Sequence, residues 1–319
     1  VSRLGLGASV IGGLFQPVSD DEARAVVTTA LALGIRYVDT APLYGLGASE
    51  RRVGEALASR PDVPCTLSTK VGRLLRTNPT VHETLPEGHW HVPDDVKPVL
   101  DFSRDGIRRS LFESLERLSL DRVGVAYVHD PDDHLDQAIA EALPALAELR
   151  AEGLVGAIGA GMTNAAALCR IVREAEPDCV LLAARYTLLD QTALDELLPL
   201  CEREGVAVVA GGVLNSGVLA DPSPGARFDY AEAPRPVLER ARLAASVCAE
   251  HGVPLAAAAL QLPLGHPAVV SVLTGVRSVT ELQLNVRHFD LELPPALWDD
   301  LVAAGILAES TPLPSGALL

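Results

Sequence analysis

Asp39, Tyr44, Lys70 and His129 are the residues of this sequence best suited to chemistry. Each sits at or just past the end of an apolar run that reads as a buried strand. An acid, a phenol, an ammonium and an imidazole gathered at one place suit proton transfer to or from an oxygen. Tyr44 alone is a poor acid or base, because a free phenol titrates near pH ~10. An ammonium beside it favours phenolate, so Lys70 is expected to lower that value. Asp39 can pair with Lys70 and fix its position, while His129 can donate to a substrate oxygen. Taken singly, each has an ordinary use: Asp39 as a cap, Lys70 as a surface charge, His129 as a satisfied structural group.

The elements that must position these four follow a repeating pattern. Short apolar runs occur at 4–8, 35–39, 65–69, 123–128, 154–159, 180–184, 206–210 and 269–273. Most lack strict alternation, as expected for strands covered on both faces. Helix-like segments lie between them at 20–33, 49–59, 103–118, 134–151, 163–175, 191–204 and 234–251. Ser19 with Glu22 three residues on reads as a capped start, and Gly34 as the stop. Eight such alternations predict a single-domain (β/α)₈ TIM barrel spanning 1–319, with its chemistry at the C-terminal mouth. An open doubly wound sheet is the alternative, but GLGAS followed by VIGG is a poor match to the GxGxxG turn it needs.

Two segments break the rhythm. Residues 72–101 are polar and rich in Pro and His, and directly follow the Lys70 strand. A loop of that length over a barrel mouth is expected to form a wall of the substrate pocket. Residues 213–236 follow the seventh strand, where such barrels often bind phosphate. The tail after Trp298 is apolar and is expected to pack across the barrel or fray.

The chain has 319 residues, 48% of them hydrophobic, and a net charge of −16. That charge argues against a nucleic-acid binder, which needs a basic face. An anionic cofactor is still possible, because local backbone N–H groups can outweigh a distant net charge. Five cysteines without a CxxC spacing read as buried thiols in a reducing compartment. The start lacks the pattern of a signal peptide, and no apolar run approaches the ~20 residues of a spanning helix. A cytoplasmic protein is expected. His82, His89 and His91 crowd one loop with Glu83, Asp94 and Asp95. No HExxH motif accompanies them, so contact with solvent or substrate is expected rather than a metal.

The stretch GIRYVDTAPLYGLGASERRVGEAL at 34–57 closely resembles the signature of the aldo-keto reductase superfamily. Its specific part is DTA, then Tyr44–Gly45, Glu50 and Gly54. STK at 68–70, YVHD at 127–130 and SVLTGVRSVTELQLN at 271–285 extend the resemblance over nearly the whole chain. It implies a (β/α)₈ barrel, a nicotinamide dinucleotide, and a catalytic tetrad falling on Asp39, Tyr44, Lys70 and His129.

The resemblance also implies a cofactor site. GVLNSGVL corresponds to the segment that wraps the pyrophosphate: Gly212, Val213, Leu214, Asn215, Ser216, Gly217 and Leu219. Tyr186 corresponds to the aromatic that stacks on nicotinamide. Gly275, Arg277, Ser278, Glu281 and Asn285 lie where the family holds adenosine. Gly161 and Met162 stand where many members present Ser–Asn to the carboxamide, and Asn164 is the candidate replacement. Gly275 and Glu281 replace the Lys and Arg that commonly hold a 2′-phosphate, so NAD is expected over NADP, with Arg277 a possible phosphate contact. Within the superfamily the chain looks most like the branch oxidising L-fucose-type aldoses, L-galactose or pyridoxal. All present a hemiacetal CH–OH that becomes a lactone. The tetrad cannot separate them. An aldose is favoured over pyridoxal, with Arg73, His82, His89, His91 and Asp130 as polar contacts. Trp90, Leu74 and Leu75 could instead form an apolar wall for pyridoxal. A non-catalytic scaffold that retains the cofactor pocket is a further alternative.

Overall fold

In a computed structural model that describes residues 1–78, 90–92 and 95–314, all eight expected barrel strands form. Numbered in chain order with the shorter strands, they are β1 Leu4–Gly7, β2 Tyr37–Asp39, β3 Thr66–Val71, β6 Val123–His129, β7 Val155–Met162, β8 Cys179–Ala183, β9 Ala207–Gly211 and β12 Val269–Thr274. All pair in parallel and close in the order β1-β12-β9-β8-β7-β6-β3-β2. Ends differ from the sequence reading by at most three residues, and β3, β6, β7, β9 and β12 run past their expected C-terminal ends, β7 furthest, to Met162.

The helices α1 Asp20–Ala32, α2 Ala48–Ala58, α3 Arg104–Leu118, α5 Ala165–Ala175 and α7 Arg235–Glu250 match the expected segments to within two residues, whereas α4 Leu143–Ala151 follows a short turn and a π-helical stretch at Ala138–Ala142, and α6 Leu197–Glu204 follows a 3₁₀ turn at Thr192–Leu194. Ser19 accepts from the Glu22 N–H at 3.2 Å, the cap expected for α1. Three further helices were not read from sequence: α8 Leu255–Gln261, α9 Val279–Phe289 and α10 Pro295–Ala303. α8 is apolar on every side and fully buried, so it carries no periodicity. α9 does carry a capping signal, because Ser278 accepts from the Glu281 N–H.

Outward strand residues pack with the helices in one large core, which includes Val38, Leu67, Ile158, Ala160 and Met162. Inward residues fill the barrel axis with Tyr37, Val125, Tyr127, Leu181 and Leu273. Gly54 lets α2 cross α3, since a Cβ there would collide with the Leu118 carbonyl. Glu50, fully buried on α2, accepts from Thr69 at 2.6 Å and pairs with Arg117 at 2.5 Å. That ties the Lys70 strand to two helices.

The 72–101 excursion is not a plain loop. Its flanks, β4 Arg73–Thr77 and β5 Val96–Leu100, pair antiparallel from Arg73 opposite Leu100 to Thr77 opposite Val96. His82, Glu83, His89 and Asp94 lie outside the described residues. Within 213–236, β10 Arg227–Phe228 and β11 Ala231–Glu232 form a small hairpin. The tail is ordered at Pro312, whose carbonyl meets Gly265 just before β12. That is the N-terminal end of the barrel, away from the mouth. Among the described residues no single helix is long and apolar enough to cross a membrane; α7 with Leu255–Gly265 passes together, bent by 100°.

Candidate active site

Three strands aim the chemistry by register. Asp39 lies opposite Ser68, and Lys70 opposite Tyr127, so Asp39, Lys70 and His129 end neighbouring strands. Lys70 Nζ donates to Asp39 Oδ2 at 2.6 Å and to the Thr40 carbonyl at 3.0 Å. Ser68 donates to the other Asp39 oxygen at 2.7 Å. The pair is 2–3% exposed, so each charge depends on the other for solvation.

Tyr44 sits on the turn after β2, held there by Gly45, whose φ of 60° and closeness to the Gly12 carbonyl exclude a side chain. Lys70 Nζ lies 4.7 Å from the centre of the Tyr44 ring. The His129 ring meets it edge-on at 5.9 Å and Trp90 lies against it at 5.8 Å. The structure therefore brings together all four residues singled out first, and adds Trp90.

One expectation is corrected. The Tyr44 phenol is not lowered but raised well above 10, first by burial and then by the Asp39 carboxylate. The physical reason is that a phenol removed from solvent resists losing its proton, and the Asp39 carboxylate adds to that cost. His129 is pushed well below 6.5 by burial, then by Arg73 and Lys70, so its imidazole is neutral at neutral pH. Its Nε2 lies 3.4 Å from Asp130, a carboxylate that Arg73 also meets at 3.4 Å. Arg73, Asp130 and Trp90 thus gather at the Tyr44 end. His91 is exposed, and the main chain carries its anchoring: its N–H donates to the Gly13 carbonyl at 2.9 Å, beside a bridge between Leu14 and Trp90. Leu74 is buried in the wall and Leu75 half-buried.

From Asp39 and Tyr44 a cavity of about 510 Å³ runs across the mouth to Arg277, Glu281 and Asn285. Gly212, Val213, Leu214, Ser216, Gly217 and Gly275 line it. Gly212, Ser216 and Gly217 all have positive φ, which turns the chain tightly under the cavity. Arg277 is held by Glu281 through contacts at 2.9 and 3.2 Å, and Glu281 also accepts from the Arg277 N–H at 2.9 Å. Asn285 is tied to Thr274 at 2.8 Å.

Other expected cofactor residues lie elsewhere. Tyr186 is 2% exposed, packed in the main core and edge-on to His266 at 6.3 Å, so its ring does not face the cavity. Met162 points outward into the helix layer because it alternates with inward Gly161, which borders Lys70. Asn164 is spent capping α5, accepting from the Ala167 N–H at 3.1 Å and donating to Asp132. Leu219 belongs to the second core, Asn215 is buried beneath the turn, and Ser278 caps α9. Sequence reasoning missed Phe15, Arg227, Asp229 and Tyr230, which line the cavity. The Arg227 guanidinium lies 4.6 Å from the Phe15 ring, and Phe15 stands 6.1 Å from Tyr230. The only signal for them was aromatic residues in the 213–236 break and just after the Gly12–Gly13 turn.

A (β/α)₈ barrel with this mouth matches known proteins throughout. The profile described as "Aldo/keto reductase family" matches residues 3–306, and the chain belongs to that family. It is an oxidoreductase, from a family that uses nicotinamide cofactors. It is 46% identical to a D-threo-aldose 1-dehydrogenase of Pseudomonas sp, over 96% of this chain and 95% of the relative. It is 40% identical to a pyridoxal 4-dehydrogenase of Microbacterium luteolum, over 97% and 95%. A solved aldo-keto reductase from Bacillus halodurans, in its holo form, superposes with a TM-score of 0.74 at 25% identity, over 95% of this chain and 92% of that one.

The buried pair yields a stability prediction. Asp39→Asn leaves the Lys70 ammonium buried without a counter-charge and should cost about 3–5 kcal/mol. Denaturant titration at neutral pH measures it. Asp39→Leu with Lys70→Met should recover part of that loss, because no charge is then stranded. A single variant as stable as the parent would mean the pair is solvated some other way.

Proposed function

We propose that the protein is an NAD-dependent dehydrogenase of the anomeric hydroxyl of an aldose such as L-fucose, D-arabinose or L-galactose, giving the lactone. The observation that carries this is Tyr44, flanked by Lys70 and His129, at one end of a cavity of about 510 Å³ that reaches across the mouth to Arg277, Glu281 and Asn285. The residues present fit such a cofactor: a glycine-lined turn at the middle, and Glu281 and Asn285 at the far end. Bound there, NAD⁺ supplies the hydride acceptor.

The rest is done by side chains. The neutral His129 imidazole donates to the substrate hydroxyl oxygen, leaving that oxygen's proton directed at Tyr44. Tyr44 takes the proton as phenolate. Lys70 and Asp39 hold the phenol's surroundings rigid, so no reorganisation accompanies the transfer. Arg73 and the half-buried Asp130, which face each other at 3.4 Å, offer a donor and an acceptor to sugar hydroxyls, and isomers are told apart by how well they meet both. The 72–101 excursion supplies the pocket wall through Trp90. Five free thiols fit a cytoplasmic setting.

Oxidation of pyridoxal is the second reading, favoured by the Trp90 ring against Tyr44 and by the Microbacterium relative. Side-by-side kcat/KM for L-fucose, L-galactose, D-arabinose and pyridoxal at one NAD⁺ concentration decides. A preference for pyridoxal of about tenfold, or 1.4 kcal/mol, reverses the assignment.

Two more outcomes follow from the same geometry. Because Tyr44 is raised, its base form gains population only as pH climbs, so the oxidation rate should rise with pH above neutrality. Tyr44→Phe should lower kcat by about 10²–10⁴; near-parental turnover would remove Tyr44 from the proton transfer. Since Glu281 holds Arg277 and would repel a 2′-phosphate, NAD⁺ should outperform NADP⁺ in kcat/KM. Glu281→Gln frees Arg277 and should narrow that ratio. A parent enzyme that prefers NADP⁺ would overturn this charge argument.

A further inference from the structure

Beneath the layer of Asp39, Lys70 and His129, the same three strands carry a second inward layer two residues earlier. Its members are Tyr37, Ser68 and Tyr127, all fully buried. Such layers are usually branched aliphatics, so two phenols and a hydroxyl here are unexpected. Their bonds are continuous. Ser68 Oγ lies 2.7 Å from Asp39 Oδ1 and 3.0 Å from the Tyr37 hydroxyl. Tyr37 lies 3.2 Å from the Tyr127 hydroxyl, which in turn lies 3.6 Å from Cys179 Sγ on β8.

Counting protons fixes the direction of the three oxygen links. A carboxylate only accepts, so Ser68 spends its single proton on Asp39. Ser68 must then accept from Tyr37, and Tyr37 from Tyr127, while the Cys179 thiol has both the Tyr127 hydroxyl at 3.6 Å and the Ile158 carbonyl at 3.9 Å as acceptors. The three oxygen links point toward Asp39 Oδ1. Successive donors polarise one another, so the last one bonds the carboxylate more strongly than an isolated hydroxyl would.

We propose that Tyr37, Ser68 and Tyr127 are positioning residues for the reaction: a one-way chain of donors that aims Asp39 and draws its charge away from Tyr44. The inference rests on the proton-transfer role assigned to Tyr44. The groups facing Tyr44 are Asp39 from β2, Lys70 from β3, Arg73 from β4, His129 and Asp130 at the end of β6, and Tyr230 from the hairpin. Among the charges opposing phenolate there, Asp39 is the strongest. Donors on its far oxygen neutralise part of that charge, and removing them returns the field to Tyr44. Burial raises both Tyr37 and Tyr127 above the ordinary phenol range, so both keep the protons the chain needs.

Tyr37→Phe removes the second link with little change in volume. The expected result is that the pH midpoint of kcat for oxidation moves up by about half a unit, roughly threefold in rate below the midpoint, with KM unchanged. Tyr127→Phe should shift it less, in the same direction. Ser68→Thr should keep the parental midpoint, and Ser68→Ala should not. In denaturant, the stability lost by Tyr37→Phe should shrink when Asp39→Asn is also present, because the two then no longer couple. A parental midpoint in Tyr37→Phe overturns the proposal, whatever its stability. So does zero coupling in the cycle. Should Tyr37→Phe fail to fold, Tyr127→Phe carries the same test. If instead Tyr44→Phe retains the pH climb in its residual turnover, the role of Tyr44 is what fails, and the cycle still reports whether the chain acts on Asp39.

Discussion

The ion pair between Lys70 and Asp39 is the constraint on which the mouth depends. Two opposite charges at 2.6 Å and almost out of solvent tolerate very little displacement. Their strands must stay in register, the Thr40 carbonyl must face Lys70, and Ser68 must face Asp39. Tyr44 is then set by what surrounds that pair: a cation near its ring face, an imidazole at its edge and an indole beside it. The buried Glu50–Arg117 pair reinforces β3 from the helix side. Charge is placed first in this site, and the apolar packing of the barrel holds the charges there.

The fold was legible in the sequence because eight apolar runs, each followed by an amphipathic segment, leave few alternatives to a closed barrel. The same alternation located Asp39, Lys70 and His129 at strand ends, and hence their meeting point. What was not legible has physical reasons. Helix α8 is apolar on all sides, so it lacks the periodicity that marks surface helices. The direction of the Tyr44 shift could not be read, because its main cause is burial of the phenol, which shows only once the turn after β2 is folded over the mouth. Tyr186 and Met162 were assigned to the cofactor from the family resemblance, whereas Met162 is turned outward by strand alternation and Tyr186, past the end of β8, packs into the main core. Asn164 was assigned by residue type, and its amide is occupied as a helix cap.

Cavity lining and chain conformation are linked at the far side of the mouth. A turn with positive φ at Gly212, Asn215, Ser216 and Gly217 presents main chain rather than side chain to the cavity. Aromatic and charged groups stand beside that turn, where the Tyr230 N–H donates to Ser216 Oγ at 3.1 Å and Phe15, Arg227 and Tyr230 lie close together. The two ends of the cavity differ in charge chemistry: a paired Lys70 at one, a paired Arg277 at the other.

The bridge between Leu14 and Trp90, with the bond from His91 to Gly13, has a consequence for how such an enzyme diversifies. Leu14 and Phe15 border the cavity, while Trp90 borders Tyr44. A two-residue hook therefore fastens the long excursion to the β1 loop, and the paired strands β4 and β5 fasten its base. The two fastenings hold Trp90 against Tyr44 from different elements, so side chains on β4 and β5 can change without moving Asp39, Lys70 or His129, which β2, β3 and β6 position.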